Sequence, residues 1–410
     1  MIPHVTDMIC ERIETVGEES GADIVLVEVG GTVGDIENEL YLEAIRQLRS
    51  EKGRSNVVFV HLTYVPIPTG VNEQKTKPTQ QSVSLLQERG IQPEFILGRC
   101  EEPLTDSVVE KIHTFTGVPT ERVVSAIDVA SVYDVPFTLH RQRVHEELAT
   151  LLSVETPQCR RLQEWKAILD DEPSDTKTVL IAGKYTDLED SYASVVESIH
   201  HAAHAHNVDI EIVWGETSEG NVELDGVDGV IVPGGFGTRG IEGKIDIIRE
   251  AREKNVPFLG LCYGLQLAVV EYARHVCGLD NAHTTEVDEE TPYPVVTILD
   301  EQQGIEELGG TMRLGSCPAI LEKDSLVASL YGDVNVTERH RHRYEVNPEY
   351  ESVLEQNGLC ISGRHPQRNL VEFVELPTHP FFVATQSHPE LKSSLDSAAP
   401  LFSGFIHALS

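Results

Sequence analysis

Two short segments, far apart in the chain, hold the side chains best suited to chemistry. Gly260-Leu261-Cys262-Tyr263-Gly264-Leu265-Gln266 sets a cysteine between two glycines. An apolar run precedes it (Val256, Phe258, Leu259, Leu261) and a helical one follows (Leu265, Leu267, Ala268, Val269, Val270). That order is the strand, sharp turn and helix of a nucleophile elbow, with sulfur in place of the serine oxygen. Gln386-Ser387-His388-Pro389-Glu390 supplies an imidazole and a carboxylate. A free thiol, with a pKa of about 8.5, is a weak nucleophile until it is deprotonated. A helix N-terminus favours the thiolate, and a histidine can take the proton and later hand it to a leaving amine. Cys262, His388 and Glu390 therefore read as nucleophile, base and orienting carboxylate of an acyl-transfer triad.

A tetrahedral intermediate also needs an oxyanion hole. Pro233-Gly234-Gly235-Phe236-Gly237 follows the apolar run Gly229–Val232 and offers unobstructed backbone N–H groups. Gly235 is one expected donor and the N–H of Tyr263 the other. Each piece alone has a plainer reading: a packed cysteine, a chance His-Pro-Glu, a common turn. It is their order and topology together that favour a site.

Alternation of short apolar runs with amphipathic helices predicts α/β architecture: two doubly wound parallel sheets with helices on their faces. In the first half, strands are expected at Ile24–Val29, Val57–Val65, Glu94–Leu97 and Val123–Ala126. Helices are expected at Glu37–Leu48, Thr79–Glu88, Asp106–Phe115 and, as one long element, Val135–Leu152. A polar stretch, Asp170–Asp175, breaks the pattern after a helix around Leu162–Ile168. The alternation then resumes at Thr178–Ala182 and runs through Phe258–Leu261. This divides the chain into a first domain over 1–152, a linking helix and linker over 153–177, and a second domain over 178–410.

The 410 residues carry a net charge of −35. Such a surface repels nucleic acid and anionic membranes; the acids are spread through the chain rather than gathered in a tail, and the charge reads either as plain solubility or, more sharply, as adaptation to high salt. No apolar stretch is long enough to span a bilayer, and the N-terminus has no signal-peptide pattern, so a cytoplasmic address is expected. The seven cysteines form no CxxC pair, which argues against a disulfide framework or a zinc site. The cluster His200, His201, His204, His206 reads as a wet helix face rather than a metal site.

The second domain, over Thr178–Leu409, resembles the class I (triad) glutamine amidotransferases. Val232–Gly240, Leu267–Arg274, Gly310–Gly315 and Glu338–Asn347 are similar to the glutaminase domain of the CTP synthase family. On that resemblance Glu286 and Arg343 hold the amino-acid end of glutamine, and Gly235, Tyr263, Gly264, Leu265 and Gln266 line its pocket. An arginine can grip a carboxylate bidentately, and the dense Arg339–Arg343 run suits anion recognition. The resemblance also places Arg313 in a lid over this site. Many members carry leucine where this chain has Tyr263.

The first domain is similar to the same family's amidoligase domain in Glu28–Glu37, Asn72–Val83 and Gly90–Pro93. The resemblance implies that Asp35, Ile36 and Glu37, with Lys75, Thr76, Lys77, Pro78, Thr79, Gln80 and Lys111, contact UTP or CTP. Glu28, at a strand end, is the expected Mg²⁺ ligand. It further implies ATP as co-substrate, GTP as activator and a homotetramer. The chain begins at the family's Ile-Pro-His motif, Ile2-Pro3-His4, and Gly30–Gly34 lacks the G-K-[ST] ending of a P-loop. An incomplete P-loop-like amidoligase domain, lacking its phosphate cradle, is therefore expected ahead of the amidotransferase domain. The expected function is glutamine-dependent amination of UTP to CTP. The alternatives are a stand-alone glutaminase or a non-catalytic relic.

Overall fold

In this computed structural model the chain divides into two units, Met1–Leu162 and Gln163–Ser410. The structure describes residues 2–71, 73–129, 131–156, 158–171, 173–183, 189–217, 224–298 and 312–409. Asn72, Gly310 and Thr311, parts of two motifs named above, lie outside them.

The first unit runs α1 (His4–Ser20), α2 (Glu39–Lys52), β1 (Val60–Tyr64), α3 (Lys77–Glu88), β2 (Phe95–Cys100), α4 (Asp106–Thr116), β3 (Val123–Ile127), α5 (Val135–Arg141) and α6 (Val144–Leu152). Its sheet, in the order β1-β2-β3, is parallel throughout. Neighbouring residues of β2 face opposite layers. Ile96 packs with Val83, Val108 and Ile112, and Phe95 with Val124 and Val144.

Three expectations fail here. Ile24–Val29 forms no strand, since no described strand pairs with it; Ile24 to Glu28 are exposed, Leu26 at 96%, and Val29 is half-buried against Leu42, Leu86 and Ile91. Glu28 is thus not at a strand end. The stretch Val135–Leu152 is two helices, broken at Arg143, whose φ of 60° no helix accommodates. Helix α1, amphipathic but broken by no turn signal, went unread in the sequence.

Helix α7 (Arg160–Leu169) crosses the division. The second unit then runs β4 (Thr176–Gly183), α8 (Ala193–His206), β5 (Asp209–Glu216), β6 (Gly229–Val232), α9 (Ile241–Lys254), β7 (Phe258–Leu261), α10 (Tyr263–His275), β8 (His283–Thr284) and β9 (Pro294–Thr297). It continues with β10 (Arg313–Leu321), α11 (Leu326–Tyr331), β11 (Asn335–His342), β12 (Glu345–Val346), α12 (Pro348–Gln356), β13 (Cys360–Arg364), β14 (Val371–Glu375), β15 (Phe382–Thr385) and α13 (Pro400–His407).

Among the described residues, nine strands form one mixed sheet, β11-β10-β13-β14-β15-β7-β6-β4-β5. The run from β15 to β5 is parallel, as the apolar runs predicted. The run from β11 to β15 is antiparallel and was not foreseen. In β11 burial alternates strictly, so that His340 and His342 face inward while Arg339 and Arg341 face out. A strand that buries histidines carries no apolar signature. A small sheet, β12-β9-β8, stands apart.

β6 and β7 are buried along their whole length, the signature of central parallel strands. One layer packs α9 and α10 against Val230, Val232 and Phe258; the other packs α8 and α13 against Ile231, Leu259 and Leu261. Histidines on α8 are not a wet face: His201 is 5% exposed and hydrogen-bonds Ser393 at 2.9 Å, and His206 bonds Ser403 at 2.8 Å. Burial lowers the pKa of both.

Helix α10 lies so close to β6 that a Cβ on Gly264 would sit 2.2 Å from the carbonyl oxygen of Val232. That backbone cannot yield without moving a central strand. Gly264→Ala is expected to destabilise the second unit by more than about 3 kcal/mol, read as a lowered urea midpoint or loss of folded protein.

Candidate active site

Three neighbouring parallel strands end side by side and set the site. Val232 of β6 pairs with Gly260 of β7, and Leu261 of β7 pairs with Thr385 of β15. The residues just past those ends are Pro233-Gly234-Gly235, Cys262 and Gln386-Ser387-His388. Segments remote in sequence therefore meet at the carboxyl edge of the sheet, where open α/β sheets bind ligands.

Cys262 joins β7 to α10 with φ 50° and ψ −96°, a strained conformation that aims a side chain out of a tight turn. Its N–H donates to the carbonyl of Thr385 at 2.7 Å, locking the turn to β15. The residue is 5% exposed. Its sulfur accepts from Nε2 of Gln386 at 3.7 Å. Gln386 Oε1 in turn accepts from Gln266 Nε2 (3.3 Å), which also reaches the carbonyl of Tyr344 (3.1 Å).

His388 interacts with the Cys262 side chain, and both stand beside Gly234; its Nδ1 meets Glu390 Oε1 at 2.7 Å. Its backbone N–H donates to the carbonyl of Arg339 on β11 at 2.8 Å. Burial alone lowers the imidazole pKa, but the interactions with Cys262 and Glu390 outweigh it and push it up to about 10. A Cβ on Gly234 would lie 2.9 Å from His388 Cε1, so only glycine lets that loop approach the ring. Gly235 flanks Tyr263, with its Cβ position 3.8 Å from the Tyr263 ring.

Glu286 Oε1 accepts the N–H of Gly237 at 2.8 Å, and the Tyr263 hydroxyl donates to the Gly237 carbonyl at 3.1 Å. The Tyr263 hydroxyl pKa is raised by burial and then by the negative charge of Glu286. Tyr344 feels burial, then Glu286, then Arg343, so both residues expected to hold an amino acid lie near one tyrosine. Tyr263 and Gly264 are buried at the head of α10. Leu265 stands at the head of the same helix with its side chain in the apolar core.

Arg313 departs from expectation. It is 7% exposed and lies between Glu345 (3.2 Å) and Glu372 (2.5 Å), beside His340 and His342. A guanidinium committed to two buried carboxylates cannot ride on a lid. Gln386, Tyr344 and Lys244, whose Nζ lies 5.8 Å from the Tyr263 ring centroid, were missed in the sequence. Only Gln386 left a signal, as the neighbour of Ser387-His388.

In the first unit, Asp35, Ile36 and Glu37 open a short 3-10 turn (Ile36–Asn38), and Asp35 Oδ2 caps the N–H of Thr32 at 3.1 Å. Lys77 and Pro78 begin α3 and are exposed. Lys75 pairs with Glu73 at 2.6 Å, and the positive charge of Lys111 also helps hold the Glu73 carboxyl pKa down. Gln80 bonds Thr76 at 3.0 Å. Thr79 is fully buried against Thr63 (2.9 Å), and Thr76 is 3% exposed. Both hydroxyls bond within the protein, Thr79 to Thr63 and Thr76 to Gln80. Glu28 is exposed, and among the described residues no group of three metal-ligand side chains includes it.

Comparison with known proteins accounts for both units. Residues 1–154 match the CTP synthase N-terminus and 187–408 the class I glutamine amidotransferase family. The chain is 48% identical to the CTP synthase of Synechococcus sp. (strain JA-3-3Ab), over 100% of this chain and 76% of that one. It is 49% identical to that of Thermococcus kodakarensis, over 100% and 77%. Among solved structures it is similar to the glutaminase domain of Trypanosoma brucei CTPS with bound acivicin. That match has 36% identity and a TM-score of 0.54, over 57% of this chain and 93% of the other. Matched from end to end at nearly half its residues, the chain belongs to the CTP synthase family.

Proposed function

We propose that this chain is a glutamine-hydrolysing CTP synthase, ATP + UTP + glutamine + water giving ADP + phosphate + CTP + glutamate. The observation that carries the glutaminase half is the contact of His388 with both Cys262 and Glu390 at the strained turn. Cys262 attacks the carboxamide carbon, His388 gives its proton to the departing ammonia, and a water then cleaves the thioester with His388 as base. Glu390 holds the ring through Nδ1. N–H groups of Gly235 and Tyr263 receive the oxyanion. Glu286 faces the α-ammonium and Arg343 the α-carboxylate, with Tyr263, Gly264 and Gln266 beside the carboxamide.

In the first unit, Lys75, Lys77 and Lys111 neutralise triphosphate, and the start of α3 offers N–H groups to it. Asp35, Ile36, Glu37 and Gln80 complete the UTP and CTP contacts. The exposed carboxylate of Glu28 is a hard oxygen donor suited to Mg²⁺, which would neutralise charge between the triphosphates. The domain limits 1–152, 153–177 and 178–410 are supported by the division at Leu162 and by the two family matches. Activation by GTP, a homotetramer and a cytoplasmic address belong to the same proposal. No described helix is long and apolar enough to cross a membrane.

Cys262→Ala is expected to cut glutamate release from glutamine by at least about a thousandfold and to abolish glutamine-dependent CTP formation. Glutamine hydrolysis surviving in that variant would overturn the triad.

The raised His388 pKa stabilises the fold fully below the unfolded value of about 6.5 and is lost as pH rises towards 10. The stability gap between the native chain and His388→Gln should therefore be widest near pH 6 and shrink steadily into the alkaline range. Urea midpoints of the pair across pH would show it; a gap that widens with pH contradicts the ion-pair reading.

The charge of −35 supports a protein working in concentrated salt, where the screening length falls from about 10 Å at 0.1 M to about 3 Å at 1 M. Thermal stability is expected to rise over that range of KCl, and a flat or falling melting temperature would refute the salt adaptation.

A further inference from the structure

The break between α5 and α6 does something a continuous helix cannot. Residues five apart on one helix point about 140° away from each other. At Arg143 the backbone takes a φ of 60°, and the rings of His140 and His145 come to stack, with centroids 4.4 Å apart and planes 8° from parallel. The chain leaving α6 then returns Cys159 to the same place. One ligand atom from each of His140, His145 and Cys159 lies within 4.8 Å of the other two, and this is the only such group among the described residues.

We propose that His140, His145 and Cys159 form a binding site for a zinc-class transition-metal ion. Two imidazoles and one thiolate are soft to borderline donors, suited to Zn²⁺ and unsuited to Mg²⁺ or Ca²⁺. Around a tetrahedral ion bound at about 2.0–2.3 Å, donors stand roughly 3.3–3.6 Å apart. The observed spacing therefore closes by side-chain rotation, the two rings splaying so that both lone pairs meet one ion. The Nδ1 of His145 is buried and has no hydrogen-bond partner, a defect that a metal or a reoriented ring removes. Glu146 and Glu147 stand in the first turn of α6. On binding, the Cys159 thiol releases its proton to solvent, and water takes the fourth position. The scattered cysteines that argued against zinc in the sequence missed this because two of the three ligands are histidines brought together by a helix break.

Such an ion would fasten the exit of the first unit. Cys159 lies immediately before α7, and both histidines stand on the α5–α6 pair. The site is distinct from every residue assigned to glutamine or nucleotide.

The test uses the tag-free 410-residue chain, stripped with chelator and titrated with Co²⁺. One equivalent should bind with tetrahedral d–d bands in the red and a thiolate-to-cobalt charge-transfer band in the near ultraviolet, both bleached by one equivalent of Zn²⁺. Cys159→Ser should lose the charge-transfer band, and His140→Gln, a change at an exposed position, should weaken Co²⁺ affinity by more than about tenfold. Circular dichroism of each variant checks that it is folded. His200→Ala/His204→Ala, on α8, should leave both bands unchanged. Absence of the charge-transfer band in the folded native chain would overturn the site. So would its persistence in Cys159→Ser, or its loss in the α8 variant.

Discussion

The second unit depends on a backbone held where it would not rest. Cys262 is fixed at φ 50° and ψ −96° by a hydrogen bond to β15 on one side and by the packing of α10 on β6 on the other. Strain of this kind persists only where the surroundings over-determine it. Here they are the most buried strands of the sheet. A helix whose residues Tyr263–Ala273 are all buried cannot rotate to relieve its own first residue. The rigidity of the core and the exposure of the sulfur to its base are thus one fact seen from two sides.

Much of this was legible in the sequence because central parallel strands are apolar runs with glycine at the turns. The elbow at Cys262, the loop after β6 and the His388–Glu390 pair all follow from that pattern, and the structure brings them to adjacent strand ends. What was not legible is the antiparallel half of the sheet. β10 and β11 bury Arg313, Glu338, His340 and His342, so their inward faces look like surface in a hydrophobicity pattern. The misplacement of Arg313 has the same origin. An arginine reads as exposed until the carboxylates that enclose it, Glu345 and Glu372, are folded around it, and neither is near it in sequence.

The first unit carries the opposite lesson. Lys75 and Lys77 stand in a motif, and Lys75 and Lys111 both act on Glu73. Within the same hexapeptide, Thr76 and Thr79 are buried and bonded to the protein itself. A motif marks a segment, and half of a helical segment faces inward whatever its ligand. Ile24–Val29 shows the limit of apolar runs as evidence: six residues of strand-forming composition remain unpaired where no neighbouring strand supplies hydrogen bonds.

One further consequence follows from where β11 lies. It is the outermost strand of the nine, yet the carbonyl of its Arg339 holds the backbone of His388. The proton carrier at the heart of the sheet is therefore tethered to its rim. The base is thus held by two strands at once, the one that ends beside the nucleophile and the one at the margin of the sheet.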